Sequence, residues 1–186
     1  AERDEFLMIT KLELLKVKPR WMFLKMYTDT DLVGLGEPVL EGHTNAVEAV
    51  IKEFEDYLIG KDPMQIEHHV QALYRGGFYR GGPLMLSAIS GIEQAMWDLK
   101  GKYYHCPVYE MLGGACRNKI RMYTHIKAAA IKDGNTVEQM LAIARPRLKS
   151  GYPALKYSII PPIHTIETPA QMQQHVERFA AVRKEI

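Results

Sequence analysis

The chain has 186 residues and a mass of 21.3 kDa, is 47% hydrophobic and 25% charged, and contains 14 glycines and 10 prolines. This is an ordinary globular composition, and it excludes disordered, collagen-like and disulfide-scaffold chains. Lys+Arg 24 against Asp+Glu 22 leaves a net charge of +2, which offers no electrostatic footprint for nucleic acid or an anionic membrane. No apolar run approaches the roughly 18 residues of a membrane span. The first ten residues, AERDEFLMIT, place charges around a three-residue apolar patch and lack the apolar region of a signal peptide. Cys106 and Cys116 are too few for a secreted staple set, which points to a reducing, cytoplasmic compartment.

Residues 6–18 (FLMITKLELLKVK) and 21–28 (WMFLKMYT) are apolar-rich runs of strand length, although period alone leaves the first open between strand and helix. The TDTD at 28–31 reads as a hairpin turn into a third short strand at 32–38, so an antiparallel meander is expected. From Thr44 the period becomes helical, with Val47, Val50, Ile51, Phe54 and Leu58 on one face and Gly60 as a stop. Asp62-Pro63 marks the next helix start, and Ile66, Val70 and Leu73 continue its face to Gly76. The strongest helix runs over 84–102 behind Pro83, with Met85, Ala88, Ile89, Ile92, Ala95, Met96 and Leu99 in one apolar face. Gly91 lies inside it at a cost of about 1 kcal/mol relative to Ala, so a close packing contact is expected there.

After Gly113-Gly114 strand and helix alternate: strand 120–126, helix 136–149, strand 154–160 and helix 169–184. Gly151 stops the first of these helices and Thr168-Pro169 starts the second. The alternation implies parallel strands with crossovers. Two such units neither cover a sheet nor close a barrel, which needs about 250 residues. The sequence therefore reads as cut short at Ile186.

Several motifs are excluded. GLGEPV at 34–39 begins like a dinucleotide loop but lacks the third glycine and a following helix. Walker A, HExxH, CxxC and GxSxG are absent. EHH at 67–69 invites a metal, but adjacent helix residues point about 100° apart and cannot share one ion without a distant third ligand. A solvated helix face is expected instead. RGGFYRGGP at 75–83 is either a flexible loop presenting Arg75 and Arg80 to a carboxylate or a glycine-rich connection with two surface arginines.

Strand parity sharpens the last two strands. Lys156 and Ser158 share one face, opposite Leu155, Tyr157 and Ile159; Tyr123 and His125 oppose Ile120, Met122, Thr124 and Ile126. If the apolar faces meet the helices, Lys156, Ser158, Tyr123 and His125 point inward, where barrel strands carry catalytic groups at their C-terminal ends. The alternatives are a hydrogen-bonded core histidine for His125 and a salt-bridged lysine for Lys156.

At the long helix the sequence meets a known pattern. SAISGIEQAMWDLKGK at 87–102, followed by PVYEMLGG at 107–114, resembles the mandelate racemase/muconate lactonizing branch of the enolase superfamily. RWMFLK at 20–25, GEPVLEG at 36–42 and GFYRGGP at 77–83 resemble the acid-sugar dehydratases of that branch. The matches run in order through the first ~125 residues and thin after Ile126, where KAAAIKDG replaces an expected glycine-rich turn.

The resemblance implies an α+β capping domain (antiparallel meander plus helices) at 1–115 and, at 116–186, the first two β/α units of a truncated (β/α)7β TIM-like barrel. It implies a Mg2+-dependent dehydratase that removes the α-proton of an aldonate such as galactonate and expels the β-hydroxyl, leaving a 2-keto-3-deoxy acid. A divalent cation and preorganised donors are needed because a proton beside a carboxylate is very weakly acidic. The Mg2+ ligands are expected on the third, fourth and fifth barrel strands, beyond Ile186.

Lys156 takes the first position of the family's Lys-x-Lys motif, where its charge helps neutralise the substrate carboxylate. Ser158 stands where racemases keep a second, basic lysine; a serine is a poor base near neutral pH, which argues against racemase or epimerase chemistry without removing that alternative. His125 matches a position that contacts substrate hydroxyls. Residues 19–23 and Glu41-Gly42 match the two loops that close over the barrel mouth, giving Trp21 the role of a wall, or else of a core residue, and Glu41 that of a hydroxyl contact. Arg80 is a further candidate of this type. The implied partners are a small acid-sugar substrate and other copies of the chain, as dimer or octamer. A chain that truly ends at Ile186 would instead be a non-catalytic fragment or interaction subunit.

Overall fold

In WMFLKMYT residues 22, 24 and 26 are apolar and the rest are mixed, and the first unit of the fold is arranged around that alternation. The computed structural model describes residues 7–18, 20–126, 136–157 and 166–186, and the chain divides into two units, Ala1–Cys116 and Arg117–Ile186. In the first, β1 (Ile9–Val17), β2 (Trp21–Thr28) and β3 (Val33–Gly36) form an antiparallel sheet in the order β1-β2-β3. The ambiguous first run is therefore a strand, paired from Ile9↔Thr28 to Val17↔Trp21 with an irregularity between Ile9 and Lys11. Met22, Leu24 and Met26 are fully buried on one face of β2, while Trp21 and Phe23 lie on the other, about two-fifths exposed. The turn is closed by Thr28, whose hydroxyl donates to the Leu32 carbonyl at 2.8 Å.

Three helices, α1 (Thr44–Leu58), α2 (Ile66–Arg75) and α3 (Gly82–Tyr103), complete the core of this unit, and α3 touches β2, β3, α1 and α2. Its approach to β3 depends on glycine. A Cβ on Gly34 would lie 2.2 Å from the Ala95 carbonyl oxygen, and one on Gly36 would lie 2.0 Å from that of Gly91. Gly91 in turn packs on Pro38, which a Cβ would meet at 2.4 Å. This is the packing contact the sequence called for. With the backbones so close, α3 also completes the open edge of β3. The Leu35 amide donates to Asp98 Oδ2 at 2.8 Å and the Glu37 amide to Gln94 Oε1 at 2.9 Å. Lys102 Nζ donates to the Val33 carbonyl at 2.6 Å and to Asp98 at 2.7 Å. Residues 94, 98 and 102 are four apart and share one helix face.

Two expectations in this unit are corrected. The second helix begins at Ile66, not at Asp62-Pro63, because the Asp62 carboxylate accepts the Met64 amide at 2.8 Å in a tight turn and Gln65 becomes the N-cap. His69 is not on a solvated face; it is 2% exposed. Its Nε2–H donates to the Asp62 carbonyl at 2.8 Å, which leaves Nδ1 to accept from the Tyr57 hydroxyl at 3.0 Å. Burial pushes the imidazole below its ordinary value, and the neighbouring His68 and Lys61 act in the same direction while the Asp62 carbonyl and carboxylate oppose it. A short α4 (Val108–Met111) follows α3.

The second unit contains β4 (Thr124–Ile126), α5 (Val137–Lys149), β5 (Leu155–Tyr157) and α6 (Pro169–Glu185). β4 and β5 pair in parallel, as the alternation predicts. Both long helices open on a capping box, Thr136 with Gln139 and Thr168 with Gln171. Met140 and Leu141 of α5 pack with Val182 of α6. The strand expected over 120–126 is corrected to three residues: β5 is its pairing partner and sets the ladder, and Ile120 and Met122 are exposed instead of meeting a helix. No described helix is long and apolar enough to cross a membrane.

Two predictions follow from these contacts. Gly36→Ala drives a methyl into the α3 backbone and lowers stability by at least about 2 kcal/mol, read as a fall in the urea midpoint. Burial favours the neutral form of His69, so the unfolded chain takes up the proton first. Stability is full above the ordinary imidazole value of 6.5 and is lost as pH falls below it through the folded-state value. The drop in unfolding midpoint between pH 8 and pH 5 (about these values bracket the imidazole range) should shrink in His69→Gln.

Candidate functional site

Two groups of side chains, one in each unit, collect most of the sequence-derived site residues. In the first unit the turn between β1 and β2 and the segment after β3 come together. Arg20 Nη1 lies 2.6 Å from Glu41 Oε1, and the Arg20 guanidinium carbon lies 5.5 Å from the centre of the Trp21 ring. Trp21 sits at the start of β2 opposite Val17, on the sheet face away from the helices and 41% exposed, so it is not a core tryptophan. Gly42, with φ of 80°, reverses the chain toward α1, where His43 is the N-cap.

Lys16 joins the same two segments from the strand side. It donates to Asn45 Oδ1 at 3.0 Å and pairs with Glu48, whose carboxyl is held below the usual range by Lys16 and Lys52. Arg20, Gly42, His43, Thr44, Asn45 and Ala46 line an open depression of about 420 Å3. Indole, guanidinium and carboxylate side by side supply an apolar wall, fixed donors and acceptors. That set suits a polyhydroxylated acid.

In the second unit His125 and Lys156 are register partners across β4 and β5. Tyr123 lies between their functional ends: its ring centre is 5.6 Å from that of His125 and 5.7 Å from Lys156 Nζ. Both His125 and Lys156 are exposed, so neither is a buried core residue. Ser158 lies outside the described residues. Arg80 is exposed in the loop between α2 and α3, and among the described residues no hydrogen bond or ion pair joins it to Trp21 or Glu41. Among the described residues no group of three or more His, Cys, Asp or Glu could hold a metal ion. These residues therefore do not fit a Mg2+ cage.

The sequence puts Arg20 in the loop at 19–23 and Tyr123 on the inward parity of its strand, without a contact for either. Arg20 shows its part only when Glu41, 21 positions on, is brought beside it.

Residues 16–113 match the mandelate racemase / muconate lactonizing enzyme, N-terminal domain. The chain belongs to this family, and its first unit is the α+β capping domain of the enolase superfamily. It is 41% identical over 177 residues to a D-galactonate dehydratase of Cronobacter sakazakii, covering 95% of this chain and 45% of the relative. A D-galactonate dehydratase of Ralstonia pickettii is 42% identical over 175 residues, covering 94% of this chain and 44% of the relative. The chain thus spans somewhat under half the length of these curated relatives. Among solved structures, an enolase from Pantoea ananatis with bound D-gluconate and Mg matches with a TM-score of 0.80 and 28% identity, over 97% of this chain and 51% of that one. A member of the enolase superfamily from Salmonella Typhimurium matches with a TM-score of 0.84 and 28% identity, over 97% and 52%.

The Tyr123 geometry has a direct spectroscopic consequence. Tyr123→Leu removes a ring 5.6 Å from His125, so the His125 ring-proton resonances shift while those of buried His69 stay in place, as checked by NMR.

Proposed function

We propose that the polypeptide carrying this sequence, completed by a second half like that of its relatives, is a Mg2+-dependent acid-sugar dehydratase. The substrate class is an aldonate such as galactonate, and the product a 2-keto-3-deoxy acid. The observation that carries this reading is the pairing of His125 with Lys156 across β4 and β5, in a chain about two-fifths identical to D-galactonate dehydratases. A cation would supply charge to the substrate carboxylate, with ligands outside the described residues.

This chain's own residues have separate tasks. The Lys156 ammonium offsets the carboxylate charge, and the His125 imidazole contacts a hydroxyl. In the capping domain Trp21 is assigned a wall and Glu41 hydroxyl contacts, with Arg80 a further candidate of the same type. A base takes the α-proton, the electron pair left behind forms a carbon–carbon double bond, and the β-hydroxyl, given a proton by a general acid, departs as water. The resulting enol becomes the 2-keto acid by moving one proton. Ser158 is a poor base near neutral pH, so the base is assigned to a histidine elsewhere in the polypeptide.

One observation favours a second reading for the 186 residues alone. Among the described residues β4 and β5 form a two-stranded ladder of three residue pairs, and so small a sheet is marginal without further strands or helices packed on it. As an isolated chain it would be a non-catalytic subunit that binds a partner. An intact mass of 21.3 kDa with concentration-dependent association supports that reading.

Full-length protein with Mg2+ should convert at least one member of a panel of aldonates and aldarates to a keto acid, detected as its semicarbazone. Lys156→Met should lower kcat/KM on the order of 100-fold. Absence of turnover on every acid by folded, metal-loaded protein overturns the dehydratase reading.

A further inference from the structure

We infer that Arg20 is the positioning residue of the capping-domain patch: it couples Trp21 to Glu41 and cancels the Glu41 charge, so that a carboxylate can serve in the recognition of an anionic substrate. The coupling stands on the geometry of this chain; its kinetic consequence rests on the dehydratase reading.

Glu41 is exposed, with 67% of its side chain open to solvent. Alone, it would place a full negative charge where an acid anion is to bind, and like charges at short range oppose binding. The Arg20 guanidinium, 2.6 Å away, removes that penalty. A carboxylate offers about four acceptor positions, so an ion pair at Oε1 leaves capacity for substrate hydroxyls. Lysine would supply the same charge as a mobile point, whereas the planar guanidinium also lies over the Trp21 ring. Wall and acceptor are thereby fixed relative to each other through one side chain.

Arg20 is not needed to hold the two segments together. Lys16, through Asn45 and Glu48, already ties the end of β1 to the first turn of α1. The Arg20–Glu41 pair itself is solvent-exposed, and such pairs add little to stability. Its position is therefore better explained by what it does to Glu41 and Trp21 than by folding.

The test has two arms. In the full-length protein, Arg20→Ala should raise KM for the acid about fivefold with kcat nearly unchanged. Adding Glu41→Gln should then recover most of the loss, because the unpaired charge is gone, and Arg20→Lys should recover part of it. A double variant no better than Arg20→Ala, or a loss confined to kcat, overturns the charge-cancelling role.

The second arm uses the full-length protein labelled with 5-fluorotryptophan. Trp21 and Trp97 are the two tryptophans of these 186 residues, Trp97 serves as internal control, and Trp21→Phe and Trp97→Phe assign their resonances. Glu41→Gln should shift the Trp21 fluorine signal when Arg20 is present and leave it in place in Arg20→Ala. An equal shift in both backgrounds, or none in either, overturns the coupling. If no acid is turned over while Trp21 still responds through Arg20, the dehydratase reading fails and the coupling stands.

Discussion

The first unit depends on the contact between β3 and α3. Three glycines, Gly34, Gly36 and Gly91, remove the side chains that would otherwise hold a strand and a helix about 10 Å apart. With the backbones this close, polar side chains on α3 reach the strand's unpaired backbone. Gln94, Asp98 and Lys102 therefore do for β3 what a fourth strand would do. The apolar face of the same helix, with Ile92, Met96 and Leu99 fully buried, faces the core at the same time. The two demands, glycine on one element and a polar row on the other, must be met together. This is the physical content of the sequence pattern over 87–102.

The candidate patch inherits its position from this contact. β3 ends at Gly36, and Pro38 is seated on Gly91, which fixes where the chain leaves the sheet on its way to Glu41 and Gly42. The other half of the patch is set by the β1–β2 register, which puts Trp21 opposite Val17 at the end of the ladder. The segments that carry Arg20 and Glu41 are thus each anchored by rigid elements. Lys16 adds a polar tie between them.

Much of this was legible in the sequence, for identifiable reasons. The meander followed from apolar runs of strand length and a TDTD turn, α3 from its period and Pro83, and the later helices from Gly151 as a stop and Thr168-Pro169 as a start. Gly91 announced a close contact without naming Pro38. His69 was misread because the adjacent-histidine argument treated both rings alike. A signal was available: position 69 lies three after Ile66 and four before Leu73, on the buried face of α2. Asp62 illustrates a limit of start signals, since its side chain can cap a turn as readily as a helix. Arg20 was invisible for a different reason. Its partner is distant in sequence, and charge complementarity across two loops leaves no local pattern.

The polar row on α3 also decides how the sheet can meet other chains. A sheet normally has two free edges, each a template for adding a foreign strand. On the β3 side the backbone groups of Val33, Leu35 and Glu37 are already taken. On the β1 side, Glu55 of α1 reaches the Leu12 amide at 3.4 Å, and Lys11 and Lys16 place charge along the strand. A sheet finished in this way has one edge closed and the other discouraged. At the β3 edge a further strand is turned away by Gln94, Asp98 and Lys102, which lie in the same 87–102 pattern that makes the family recognisable.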